Sequence, residues 1–279
     1  RGSRLPVPLC SENTPFPSRF HLHMEKQPPI HKKQTQPESR LHRLASALFQ
    51  PPPAASRCPI RERILGMLCL VLNSYSPSLA RLQKVPSWRT GYLASKATLL
   101  EKMRMGHWLW ATRPFVARWY RNLKMWIYPR EENSQCVYVH GFYEPNQISF
   151  LDHLLKPGMV FVDAGAHAGL YSLFASLKVE ASGLVLSLEP SKREFLKLRR
   201  NIWLNHLRNI RPRNKAVSDR PGRMNLKIAD PVHSGHNTFG SFAYPETQLE
   251  RVEEVETQTL DQVVCDEHLN RLDVLKLDL

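Results

Sequence analysis

No aspartate precedes Asp152 in this 279-residue chain. Residues 1–136 carry 22 Lys and Arg against 7 Asp and Glu, whereas residues 137–279 carry 17 against 18. The formal charge of +14 and the pI near 9.8 therefore belong to the front half and describe no single folded unit. Eleven of the 22 prolines fall before residue 61, the bias of a segment that cannot bury enough apolar surface to offset its ordering entropy. Residues 1–77 are accordingly expected to be a disordered or non-native, basic, Pro-rich extension. At 32.3 kDa the rest still suffices for a sizeable core.

Five cysteines (Cys10, Cys58, Cys69, Cys136, Cys265) show no C-x-x-C pair and no Cys/His ligand spacing. No metal is expected on that ground, and a reducing, cytoplasmic setting is the simplest context. The longest apolar run, Ile64 to Leu72, contains Gly66 and falls far short of the roughly 20 residues a spanning helix needs. It has the length of a signal-peptide core but lies too deep in the chain unless translation starts later. Internal repeats are missing. The chain opens on Arg1 and stops within Leu275-Lys276-Leu277-Asp278-Leu279, which reads as the middle of a buried strand, so a fragment incomplete at its C-terminus is expected.

Residues 78–136 read as a basic, aromatic, helical region. Pro114 suits a first helical turn, and Phe115, Trp119, Leu123 and Trp126 then recur at spacings of four, four and three, predicting one helix face. That stripe suits packing on the following domain. A basic, Trp-bearing amphipathic helix over residues 114–128 also suits peripheral contact with an anionic membrane surface.

From residue 137 to 279 the periodicities alternate as an α/β domain requires. Strands are expected at Cys136–His140, Met159–Asp163, Leu184–Glu189, Arg213–Ser218 and Asp273–Asp278, with more exposed ones at Met224–Ile228 and Val252–Thr259. Helices are expected at Asn146–Leu155, Ala168–Lys178 and Lys192–Asn205, the last with Phe195, Leu198, Ile202 and Leu204 as its apolar positions. This order predicts a doubly wound, Rossmann-like sheet with its ligand at the carboxyl ends of the strands.

The stretch Val162-Asp163-Ala164-Gly165-Ala166-His167-Ala168-Gly169 follows a strand and opens a helix. A dinucleotide fingerprint counted from Gly165 would need glycine at 167 and 170, where the chain has His167 and Leu170, so that fingerprint fails. An acidic residue, one spacer, glycine, three spacers and glycine instead resemble the first motif of class I methyltransferases, which bind S-adenosylmethionine. On that reading Gly165, Ala166, His167 and Gly169 form the cofactor loop, and Asp163 faces the ammonium of the ligand's amino-acid part. Glu189, 24 residues beyond Gly165, accepts both ribose hydroxyls, close to the roughly 20 known for the analogous dinucleotide-site acid. Ser218 and Asp219, after the third strand, fall where this fold reads the adenine edge.

The residues also resemble a named group, the FkbM-type S-adenosylmethionine-dependent methyltransferases. The likeness runs from about Val139 to Leu279 through ordered blocks. These are Tyr143-Glu144-Pro145-Asn146, Leu155-Lys156-Pro157-Gly158, Phe161 to Gly169, Leu188-Glu189-Pro190, Asn214 to Asp219, Thr259-Leu260-Asp261 and Asp273 to Asp278. His167 departs from it, since the family commonly has Asn there. The resemblance implies O-methylation of a sugar or other small-molecule hydroxyl with S-adenosylmethionine as donor.

On the acceptor side, topology points Asp278 at the transferred methyl group as base or orienting acid, with His236 a second candidate. Asn237, Thr238 and Glu144 are expected acceptor contacts. Two readings of other classes stand beside this one. In the first, a nucleic-acid methyltransferase uses the basic front half as a docking arm, against which the basic residues are scattered among prolines rather than gathered on a known module. In the second the chain is a non-enzymatic binding or scaffold protein.

Overall fold

The computed structural model describes residues 99–278; the Pro-rich extension and the apolar run Ile64 to Leu72 lie outside them. Helix α1 (Leu99–Trp110) leads into a β-hairpin, β1 (Phe115–Arg118) and β2 (Lys124–Ile127), then α2 (Glu132–Gln135) running into a π-helical turn at Cys136–His140, and α3 (Pro145–Leu154). The α/β part continues with β3 (Val160–Ala164), α4 (Leu170–Val179), β4 (Leu184–Leu188), α5 (Lys192–Leu204), β5 (Ile210–Arg213), β6 (Ala216–Val217) and β7 (Gly222–Ala229). After a 3₁₀ turn at Ser234–His236 come β8 (Leu249–Gln258), α6 (Leu260–Asp266) and β9 (Val274–Leu277).

The central sheet has the order β5-β4-β3-β9 and is parallel throughout, with Val162 opposite Leu186 on one side and Leu275 on the other. Reading outward from β3, the chain adds β4 and β5 on one side and then reverses to place β9 on the other. This is the doubly wound arrangement, whose crevice opens at the carboxyl ends where the order turns round. Strands β3 and β4 are buried on both faces (Phe161, Val162, Val185 and Leu186 are all inaccessible), as parallel strands covered by helices must be. A second sheet, β6-β8-β7, is built around a long antiparallel pair.

Three expected elements differ. The helix predicted from Pro114 is the hairpin β1/β2, paired from Phe115↔Ile127 to Arg118↔Lys124. A spacing of four satisfies a helical face and every second position of a strand face alike, so Phe115, Trp119 and Leu123 do not discriminate. The set Leu123, Met125 and Ile127 does, because it is buried with period two. Trp119 is 2% exposed and its indole N–H donates to the Gly141 carbonyl at 2.6 Å. Of the apolar stripe over residues 114–128, Phe115, Trp119 and Leu123 pack in the same core as Phe161 and Phe174 rather than facing a membrane surface, and Trp126 lines a cavity over the carboxyl ends of β3 and β4.

Cys136–His140 is a helical turn rather than a strand. Val137, Tyr138 and Val139 are buried consecutively, which an alternating strand with one solvated face cannot do, and Arg104 donates to the Tyr138 carbonyl at 3.0 Å. The strand expected at Arg213–Ser218 is two pieces in two sheets. β5 ends at Arg213, and Asn214 turns the chain by donating its side-chain amide to the carbonyls of Glu189 and Pro190, both at 2.8 Å. β6 then pairs with Thr257 and Gln258 of β8.

Candidate functional site

At the carboxyl ends of β3 and β4 the loop Gly165–Gly169 is folded back by two amides, those of Gly165 and Ala166, which both donate to the Leu188 carbonyl at 2.9 and 3.0 Å. Gly165 has φ +77°, and a β-carbon there would lie 2.0 Å from the Asp278 carbonyl oxygen, so only glycine lets the end of β9 close on the loop. Gly169, at φ +93°, opens α4, and its missing side chain makes room for Leu198 of α5. His167 holds φ +49° between them, a left-handed conformation that Asn and His tolerate better than most residues.

Glu189 follows β4 directly. Its two carboxylate oxygens accept the backbone N–H groups of His167 (2.7 Å) and Ser191 (2.9 Å), so this one side chain ties the loop after β3 to the loop after β4. It is 5% exposed, and burial pushes its pKa up to about 8 against those two hydrogen bonds, with the Glu194 carboxylate adding to the rise.

A cavity of about 290 Å³ lies over this junction, its floor made by Gly165, Ala166, His167 and Glu189. Glu144, Tyr171, Lys276 and Asp278 form one wall; Ser234, Asn237 and Thr238 form another. The Tyr171 hydroxyl donates to Glu144, a short bond, and burial together with that carboxylate raises the phenol's pKa. The Lys276 ammonium donates to the Gly165 carbonyl at 2.9 Å and stands 3.3 Å from carboxylate oxygens of both Asp163 and Asp278. Burial pulls its pKa down, but Asp163 and Asp278 outweigh that and hold it above the ordinary lysine value. The Ser234 hydroxyl is buried and has no hydrogen-bond partner, a polar atom left for something in the cavity.

Beneath the loop, α5 turns a polar face inward: Glu194, Lys197 and Asn201 are all buried. Glu194 stands 3.2 Å from the His167 imidazole and 2.8 Å from the Lys197 ammonium, which also meets Glu131. Burial raises the Glu194 pKa, but His167, Lys197 and Arg193 outweigh it and bring it below the usual carboxylate value. Burial lowers that of His167. Asn201 donates to the Ala168 carbonyl at 2.9 Å and accepts the Trp126 amide at 2.8 Å, joining the loop to the hairpin. Of the apolar positions expected on this helix only Leu198 is buried. The pattern Glu194, Lys197, Asn201, at spacings of three and four, carries the signal but is the pattern of a solvated face as well.

The structure brings together Gly165, Ala166, His167, Glu189, Glu144, Asn237, Thr238 and Asp278 around one cavity. Five expected site residues are elsewhere. Gly169 does not line the cavity, and its open space is taken by Leu198 and Leu173. Asp163 lies fully buried under the loop rather than facing the cavity, accepting the Ser172 hydroxyl at 2.6 Å. Ser218 and Asp219 stand in a turn outside it, because β6 has left the central sheet, and the Asp219 side chain is exposed beside Arg220. His236 points the other way, its Nδ1 2.8 Å from the Thr247 hydroxyl and its ring stacked on Tyr244. Asn237 uses its side-chain oxygen to accept the Ala229 amide at 2.9 Å. Lys276 was legible beside Asp278, two residues along the same strand face; Tyr171 and Ser234 carried no signal that chain position alone could single out. Among the described residues no group of three His, Cys, Asp or Glu could hold a metal ion, and no helix is long and apolar enough to cross a membrane.

Residues 163–279 match the family described as the Methyltransferase FkbM domain. That part of the chain is similar to FkbM methyltransferase domains. Solved structures similar to it include TYW2 of Pyrococcus horikoshii in complex with MeSAdo (21% identity, 41% of this chain and 41% of that one, TM-score 0.31). Others are the SAM-dependent O-methyltransferase of Thermotoga maritima (16%, 42% and 47%, TM-score 0.27) and Trm5b of Pyrococcus abyssi (20%, 36% and 27%, TM-score 0.27). The matched part spans less than half the length of each of those chains. No curated protein matches the chain significantly. The matched stretch begins at Asp163, yet the hairpin and helices ahead of it supply Glu144 and much of the hydrophobic core around β3 and α4.

Proposed function

We propose that this chain is an S-adenosylmethionine-dependent O-methyltransferase whose acceptor is a hydroxyl of a sugar or another small molecule. The observation that carries the reading is the Glu189 carboxylate in the cavity floor of a stretch similar to FkbM methyltransferase domains. Each of its oxygens holds one backbone amide and keeps acceptor capacity for one hydroxyl of a ribose diol. Gly165, Ala166 and His167 would hold the cofactor from below, and the carboxylates of Glu144 and Asp278 suit a positively charged sulfonium. When bound, S-adenosylmethionine supplies a methyl group activated for in-line transfer to an oxygen. Asp278 and Glu144 are the groups placed to take the hydroxyl proton, and alignment of the acceptor would contribute about 7–11 kcal/mol to lowering the barrier.

The cavity wall favours this acceptor class over a polynucleotide. Glu144 and Asp278 stand there against Lys276 alone, a balance that disfavours a phosphodiester backbone. Calorimetric titration of the full chain with S-adenosylmethionine tests the reading. Binding is expected, lost in Gly165→Val and weakened about tenfold or more in Glu189→Gln. A nicotinamide dinucleotide should give no heat. A soluble full chain that does not bind S-adenosylmethionine would remove the enzyme reading, and salt-dependent binding to RNA would favour the nucleic-acid one.

A further inference from the structure

Behind one wall of the cavity lies a second hollow of about 530 Å³, and Tyr143 borders both. The partition between them is α2 and the 3₁₀ turn Ser234–His236, pinned by the Glu132 amide donating to the Val232 carbonyl at 3.1 Å. Neighbouring residues of each element serve opposite sides: Asn133, Ser134 and Ser234 face the first cavity, while Glu132, Gln135 and His236 face the second. Gly235 allows this, since a β-carbon there would meet the Asn133 side chain at 2.8 Å.

The second hollow is built from flat rings and charged ends. His233, His236 and Tyr244 form a column, with His236 stacked 5.4 Å from His233 and 4.9 Å from Tyr244. The column is fixed from beneath: Asp230 accepts from His233 at 2.9 Å and Thr247 holds His236. Tyr244 ends it and is 53% exposed, so one aromatic face is open. Glu132, Glu246 and Arg130 complete the lining. An aromatic face flanked by two hydroxyl-accepting carboxylates and a donating guanidinium matches a pyranose ring, which offers an apolar C–H face and a rim of hydroxyls. Two carboxylates against one arginine suit a neutral ring better than an anion.

We infer that this second hollow is the acceptor subsite, holding a pyranoside on the open face of Tyr244 with one hydroxyl directed past Tyr143 into the first cavity. The inference rests on the O-methyltransferase reading for what happens to that hydroxyl, but binding of the ring does not depend on it. Burial, with Glu132 and Glu144 nearby, pushes the Tyr143 phenol up to about 12, so it stays a hydrogen-bond donor at the junction.

Saturation-transfer NMR on the full chain with methyl α-glucopyranoside, α-mannopyranoside and α-galactopyranoside, without S-adenosylmethionine, tests the subsite. At least one glycoside is expected to receive saturation through the protons of a single ring face. Tyr244→Ala should weaken it about fivefold or more while Tyr244→Phe retains it. Calorimetry with S-adenosylmethionine should give the same affinity for wild type and Tyr244→Ala, which also establishes that the variant is folded. Failure of all three glycosides to bind a protein that binds S-adenosylmethionine overturns the inference, as does glycoside binding indifferent to Tyr244→Ala. A glycoside bound through Tyr244 by a chain that ignores S-adenosylmethionine would sink the methyltransferase reading and leave the subsite standing.

Discussion

Replacing Glu189 by Gln should abolish a loss of stability that accompanies rising pH while weakening the site. The folded carboxyl keeps its proton to about pH 8, whereas the ordinary value is 4.5. Between those values the folded state binds more protons than the unfolded one, so wild-type stability falls as pH rises from 4.5 to about 8 and then levels off. At about 1.36 kcal/mol per pH unit the whole window is worth about 5 kcal/mol, a large share of the 5–15 kcal/mol that typically holds a domain folded. Gln does not titrate but can accept only one of the two backbone N–H groups, so it starts with a fixed cost at low pH. As pH rises from 5 to 9 the difference between the two proteins should shift by a few kcal/mol in favour of the variant. Urea denaturation followed by tryptophan fluorescence from pH 5 to 9 measures this directly. Stability curves that run parallel from pH 5 to 9 would refute the claim that burial dominates at Glu189. If the curves converge or cross as expected, the cost of the carboxylate marks a stability sacrificed for binding, the usual sign of a functional site.

Other perturbations test the local arguments. Gly165→Ala places a β-carbon against the Asp278 carbonyl at a positive φ and should cost about 2–4 kcal/mol, read as a lower denaturation midpoint with an unchanged m-value. Lys276→Met strips the ammonium from the fully buried Asp163 and should destabilise by about 3–5 kcal/mol; adding Asp163→Asn should recover most of it, and a double variant no better than the single would break the pairing argument. Arg121→Gly should stabilise by up to about 1 kcal/mol, because Arg121 sits at φ +51° in the hairpin turn. In a helix the same substitution would destabilise by about that amount, so the sign of the change in melting temperature decides between the two local structures.

The helix Leu260–Asp266 was not legible along the chain, but the order of elements from α3 through the helix Lys192–Leu204, the core strands β3, β4 and β9, and the loop that ends at Gly169 were. They follow from short-range rules: apolar runs bounded by turn residues, and glycines where only glycine fits. Glu189 was legible too, since a strand end fixes its position over the loop. The chain by itself could not separate hairpin from helix over Phe115–Ile127, because a spacing of four serves both periods. Nor could it show that Arg213 and Ala216 belong to different sheets, which the Asn214 side chain decides by bonding to residues about 25 positions away. The inward polar face of α5 and the aromatic column at Tyr244 likewise depend on partners remote in sequence. A charged side chain reads as solvated until the structure supplies its counter-ion, and only tertiary packing places Glu131 and His167 beside Glu194 and Lys197.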